Sequence, residues 1–130
     1  PGLRAYWQGW GRPGDVGVVA VERLSRLPVA CAWVRRYPAT EPAYGFVSED
    51  VPELSTGTID GCRGKGIGTR TRTELLRVRQ GSVPGVSLSV RETNPAVRLY
   101  ERLGFRLVPG SEKVNRVGTR SFHMLLRFGA

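Results

Sequence analysis

At Gly61–Gly68 the chain changes its hydrophobic period, and this switch limits the folds open to it more than any other feature. Before it, β-branched and apolar residues come in short runs bounded by glycine, proline or acidic residues: Asp15–Glu22 (DVGVVAVE), Pro28–Tyr37 (PVACAWVRRY) and Glu53–Ile59 (ELSTGTI). Runs of this kind predict strands, with Leu24–Leu27 joining the first two as an antiparallel hairpin and 38–50 forming a loop. After the switch, Ile67, Thr71, Leu75, Leu76 and Val78 recur at three- and four-residue spacing up to Gly81, which predicts an amphipathic helix. A chain of 130 residues needs one core for such elements, so 1–130 is expected to be a single domain.

The remaining segments extend this order. Residues 1–14 hold Tyr6, Trp7 and Trp10 among glycines and prolines, the pattern of a helix remnant followed by a turn at Gly11–Gly14. Val86–Val90 (VSLSV) predicts a buried strand. Asn94 suits a helix cap and Pro95 a first turn, Ala96, Leu99, Tyr100 and Leu103 share one face, and Gly104 suits a left-handed stop. Phe105–Val108 and Thr119–Phe128 read as final strands around a polar loop at 110–118. Helix remnant, β, β, β, α, β, α, β, β predicts an α/β (α+β) sheet, mostly antiparallel at its start, with a parallel strand-helix-strand unit at its centre.

Composition removes several classes. Hydrophobic residues at 40% and charged residues at 24% exclude a disordered chain. No apolar run reaches the ~20 residues of a membrane span and no signal peptide opens the sequence, so a soluble, cytoplasmic protein without a membrane partner is expected. Cys31 and Cys62 have no His or second Cys at ligand spacing, which argues against a disulfide scaffold and for no metal. Cys31 reads as a small core residue, and Cys62 as a partly exposed one before the glycines. The net charge of +9 invites an anionic partner, but the arginines are scattered and the aromatics are not interleaved with them on one element, so nucleic acid is not the expected partner.

The segment Arg63-Gly64-Lys65-Gly66-Ile67-Gly68-Thr69 sits where a strand gives way to a helix. Free backbone N–H groups and the helix dipole favour an anion there, and glycines let a phosphate come close. A Walker loop would need Ser or Thr after Gly-Lys, where Gly66 stands, and a dinucleotide fingerprint would need GxGxxG, where the chain has GxGxG. Arg63-x-x-Gly66-x-Gly68 resembles instead the Q/R-x-x-G-x-G/A signature of the GNAT acyltransferases. Asn94-Pro95-Ala96-Val97-Arg98-Leu99-Tyr100-Glu101-Arg102-Leu103-Gly104-Phe105 resembles the N-x-A-x-x-L-Y-x-x-x-G-F pattern common in that family.

The resemblance implies a GNAT-type mixed sheet whose central parallel strands splay apart, with flanking helices and with the family's first strand and first helix lacking a counterpart. It implies acetyl-CoA as cosubstrate, with direct transfer of the acetyl group to a primary amine and no metal. Thr58 and Ile59 would hold the acyl end, Arg63 to Thr69 the pyrophosphate, Asn94 the pantetheine and Arg102 the adenosine 3′-phosphate, although a solvated Arg102 is the plainer alternative. Tyr100 matches the family's acid, which protonates the leaving thiolate; alone it would read as a packing residue. For the base the resemblance points to Glu53 at the start of a strand, with Glu49 and Asp50 as competitors. His123 in the last strand reads as a packed or edge histidine. Asp60 stands where the family often has Pro, and Cys62 where it has a bulky residue. The acceptor is unspecified, a homodimer is compatible with the sequence, and a CoA-binding module without turnover is the rival reading.

Overall fold

The computed structural model describes residues 3–59, 61 and 66–129. The β-branched run β1 (Val16–Val21) pairs antiparallel with β2 (Pro28–Arg35), which pairs in turn with β3 (Glu53–Thr58) in the register Ala30↔Thr58 to Arg35↔Glu53. Helix α1 (Ile67–Arg79), β4 (Gly85–Arg91), α2 (Ala96–Leu103), β5 (Arg106–Leu107), β6 (Lys113–Val114) and β7 (Arg120–Arg127) follow. The sheet order is β1-β2-β3-β4-β7-β5, with β6 also on β7. β3 and β4 are parallel and their neighbours antiparallel, the mixed α/β architecture expected from the alternation of strand and helix.

Successive side chains of a strand point to opposite faces and registered partners share one, so the sheet has two unlike sides. One carries Val18, Ala32, Val34, Leu54, Leu88 and Met124, and on it Thr71, Leu75 and Leu76 of α1 and Tyr100 of α2 complete the core. The other carries Trp33, Arg35, Glu53, Ser55, Ser87, Ser89 and His123. Cys31, expected in the core, lies on this second side opposite Gly57 and is half-buried, because alternation gives the core places in β2 to Ala30, Ala32 and Val34. Val78 also departs from expectation: it is exposed in the last turn of α1, since spacing fixes its direction but not what lies opposite. The expected loop 110–118 contains β6, a two-residue strand too short to show a period.

The second side is roofed by the N-terminal segment, whose Leu3–Tyr6 forms one 3₁₀ turn. Arg35 ties it down. Its guanidinium donates to both oxygens of Asp15, at 3.0 and 2.8 Å, and to the carbonyls of Ala5 and Gln8, at 3.1 and 2.6 Å. The pair is buried, each side chain 1% exposed. Burial opposes ionisation of Asp15, but Arg35 and the amides of Gly11 and Arg12 outweigh it and hold the carboxyl below its ordinary value.

Candidate active site

β3 and β4 pair at a single register, Glu53↔Ser87, backed by the Ser87 N–H donating to the Pro52 carbonyl at 3.0 Å. From Leu54 onward the edge of β3 that faces β4 has no strand partner among the described residues. A cleft of about 520 Å³ lies in this gap and joins the two faces of the sheet: Glu53, Trp33 and Tyr44 line it on the polar side, Leu88 and Tyr100 on the helix side. A second cleft of about 420 Å³ shares Thr56 and Asn94 with the first and continues to Gly66, Gly68 and Thr69 at the start of α1. A larger one, of about 650 Å³ between β1 and α1, is lined by Ile67 but by neither Glu53 nor Tyr100.

Gly66 precedes α1 in the left-handed conformation, φ 77°, which glycine adopts without a side-chain clash. The first intrahelical bond runs from Arg70 N to Gly66 O at 3.1 Å, and no side chain among the described residues caps the helix. The amides of Ile67, Gly68 and Thr69 are therefore left for an anion. Asp60, Cys62, Arg63, Gly64 and Lys65 lie outside the described residues.

α2 begins as its sequence predicts. Pro95 already has helical dihedrals, and Asn94 Oδ1 accepts from the Ala96 N–H at 2.8 Å. That cap leaves the amide N–H groups of Asn94, which borders both clefts, for another partner. The helix stops at Gly104, φ 105°, where the Phe105 N–H returns to the Tyr100 carbonyl at 2.9 Å. Tyr100 is 6% exposed and packs edge-on against Phe105, yet its hydroxyl borders the gap and accepts from Arg72 Nε at 3.2 Å. Arg72 also donates to Thr56 Oγ1 at 3.2 Å and lies over the Tyr100 ring, so it spans α1, β3 and α2. An arginine cannot accept, so this contact leaves the phenolic proton free.

Glu53 is 2% exposed, and neither carboxylate oxygen has a hydrogen bond of good geometry. Burial pushes its carboxyl up to about 7, against the nearby Gly45 N–H and Tyr6 hydroxyl, which favour the ionised form. Burial and then the charge of Glu53 push the Tyr6 phenol well above its ordinary value. Gly45 lies so close over the strand pair that a Cβ would stand 2.7 Å from the Leu88 carbonyl carbon and the Ser89 nitrogen. The competing carboxylates are occupied on the exposed loop: Glu49 accepts from the Ala39 N–H at 2.7 Å and Asp50 from Ser48.

The other expected site residues are spread more widely. Thr58 borders the glycine-loop cleft, while Ile59 is 52% exposed with its N–H donated to the Val29 carbonyl. Both stand at the far end of β3 from Glu53 and do not line the cleft that holds Glu53 and Tyr100. Arg102 is exposed on the last turn of α2 and lines neither cleft. His123 is half-buried beside Ser89, and burial, then Lys113, lower its imidazole. Among the described residues no three His, Cys, Asp or Glu side chains gather as a metal site, and no helix is long and apolar enough to cross a membrane. Sequence reasoning missed Arg72, although it stands four residues beyond Gly68, one helical turn from the loop. It also missed the aromatic wall of Tyr6, Trp7, Trp33 and Tyr44; the hairpin register that sets Trp33 opposite Ser55, two residues from Glu53, was the available signal.

A sequence model described as the acetyltransferase (GNAT) domain matches residues 58–128, more than half of the chain. No curated protein matches by sequence. Among solved structures, one described as a GnaT-family acetyltransferase from Bordetella pertussis aligns with a TM-score of 0.73 at 20% identity, over 90% of this chain and 68% of that one. A GCN5-related N-acetyltransferase from Kribbella flavida aligns at 0.70 and 22% identity, over 96% and 74%. The NatC complex bound to Gag peptide and CoA aligns at 0.66 and 16% identity, over 87% and 71%.

Proposed function

The chain belongs to the GNAT acetyltransferase family, and on that premise we propose that residues 1–130 act as one domain that moves an acetyl group from acetyl-CoA directly to a primary amine. The observation that carries this reading is the cleft through the β3–β4 gap, with Glu53 at one mouth, Tyr100 at the other and the glycine loop beyond. A similar structure, the NatC complex, is one that holds CoA.

In this mechanism the pyrophosphate binds at Arg63, Gly64, Lys65, Gly66, Ile67, Gly68 and Thr69, where uncapped amides meet a positive helix end. The pantetheine arm runs along the unpaired edge of β3, past Thr58 and beside Asn94, and brings the thioester between Glu53 and Tyr100. The amine enters from the polar face as an ammonium ion. Glu53, with a carboxyl near 7, takes one proton, and the free amine attacks the thioester carbonyl. The C–N bond forms, the C–S bond breaks, and the adduct loses its second proton to water. Tyr100 protonates the departing sulfur and is restored from solvent, so amide, CoA thiol and one net proton are released. Arg72 donates to the Tyr100 oxygen throughout and steadies the transient phenolate. Arg102 remains available to the 3′-phosphate from the surface of α2.

The test is twofold. Acetyl-CoA at a hundredfold excess over its Kd should stabilise the fold by about 2.7 kcal/mol, seen as a melting shift of several degrees. Thiol release should then depend on an added amine. A shift without amine-dependent release would mean a binding module, and no shift at millimolar ligand would remove the reading.

A further inference from the structure

The polar-side mouth of the cleft restricts the acceptor by charge and shape, and the inference drawn from it rests on the acyl-transfer reading above. The chain carries 20 Lys and Arg against 11 Asp and Glu. Yet among the described residues that line this cleft there is no lysine, arginine or histidine, and Glu53 is the one charged side chain. Around it stand Tyr6, Trp7, Trp33 and Tyr44. Tyr6 and Tyr44 stack with ring centres 6.2 Å apart and planes 12° from parallel. The wall is held in place, since Trp33 Nε1 donates to the Tyr6 carbonyl at 2.9 Å and the Tyr44 N–H to the Tyr6 hydroxyl at 2.9 Å. Trp7 and Tyr44, 58% and 45% exposed, present their rings to solvent.

A carboxylate 2% exposed, with the Gly45 N–H and the Tyr6 hydroxyl near it but neither in good hydrogen-bond geometry, is a costly thing to keep under an aromatic wall unless a ligand completes it. An ammonium group satisfies both parts, pairing with the carboxylate and lying against ring faces. An acceptor with its own carboxylate or phosphate beside the amine finds no cationic side chain among the described lining residues and meets the like charge of Glu53. The cleft must also take the acyl end, which leaves room for a small body. We propose that the acceptor is a small arylalkylamine-type molecule, a primary ammonium on an uncharged aromatic or apolar skeleton, and that amines flanked by an anionic group are rejected.

The experiment compares matched acceptors with the full chain and acetyl-CoA: 2-phenylethylamine against phenylalanine and tryptamine against tryptophan, pairs that differ by one carboxylate, with methylamine, spermidine and a short peptide alongside. Each arylalkylamine should exceed its amino acid by about 100-fold or more in kcat/KM, as for a site that leaves a charged group unpaired. The double variant Trp7→Ala, Tyr44→Ala should raise KM for phenylethylamine about tenfold, and more than it raises KM for methylamine. Equal use of both members of a pair, preference for the amino acid, turnover confined to spermidine or the peptide, or no acceptor in the panel overturns the proposal. If acetyl-CoA still shifts melting and another amine of the panel is turned over, the transferase site stands and only the acceptor class is wrong, whereas a shift with no amine turned over means a binding module. Loss of the acetyl-CoA shift itself would remove both.

Discussion

The two sides of the β3–β4 gap are built in different ways. On the helix side the parts come from contiguous sequence: Asn94 caps α2, Tyr100 lies two turns on, Gly104 stops the helix, and Gly66 opens α1. On the polar side Tyr6, Trp33, Tyr44 and Glu53 come from four separate segments, brought together by strand register and by Arg35 holding the N-terminal turn. The first side is a matter of local geometry that a short motif specifies. The second exists only once the sheet has formed. Chemistry that every family member shares can sit in the first, and chemistry that varies with the acceptor has more freedom in the second.

Substitutions test how far the two sides are independent. The largest effect is expected on the helix side: Tyr100→Phe keeps the ring against Phe105 and deletes the hydroxyl, so kcat should fall by about 10² to 10⁴ with little change in acetyl-CoA affinity. Near wild-type kcat would reduce Tyr100 to a packing residue. On the polar side, Asp15→Ala strands the buried Arg35 charge and should cost about 3–5 kcal/mol in urea unfolding. A loss below about 1 kcal/mol would show that the N-terminal turn is not held by that pair.

Glu53→Gln comes next and couples stability to chemistry. The carboxyl is raised from 4.5 to about 7 in the fold, so the native state binds its proton more tightly than the unfolded chain. Its favourable share is complete below about 4.5 and lost as pH rises through about 7, where the buried charge costs about 3 kcal/mol. The Gln variant should therefore melt higher than wild type at pH 8 and alike at pH 4.5, while kcat/KM of the wild type climbs with pH to a plateau above about 7. Identical pH profiles for the two proteins would move the base elsewhere. The smallest effect is Gly66→Ala, where a Cβ meets no neighbour among the described residues but φ is 77°. A stability loss of about 1–2 kcal/mol is expected from the left-handed backbone. A loss above about 4 kcal/mol would mark a structural contact rather than a conformational preference.

What was legible in the sequence divides along the same line. The strand and helix order follows from period, and the ends of α2 from Asn94, Pro95 and Gly104, because caps and turns act within a few residues. Glu53 is preferred over Glu49 and Asp50 from its place at a strand start; that it is buried while the other two are engaged on the exposed loop is a property of the fold and not of the sequence. Arg72 escaped notice because one arginine among many has no signature until Tyr100 and Thr56 lie within 3.2 Å of it. Thr58 and Ile59, expected beside the acyl group, stand at the end of β3 nearest the glycines, while the one register pair with β4 is at Glu53, at the other end; strand direction relative to the cleft is not a property of the local sequence.

That single register pair leaves the two halves of the sheet joined there by one rung of strand pairing and otherwise by their common core. α1 packs on β1, β2 and β3, while α2 is spliced between β4 and β5 on the other half, and Arg72 reaching Tyr100 is a strut between them. A ligand gripped at the start of α1 and beside Asn94 would be a second strut. The amides along the facing edges of β3 and β4 should then be fast in hydrogen exchange when the cleft is empty and slow when it is filled, so occupancy could be read from the backbone without any assay of turnover.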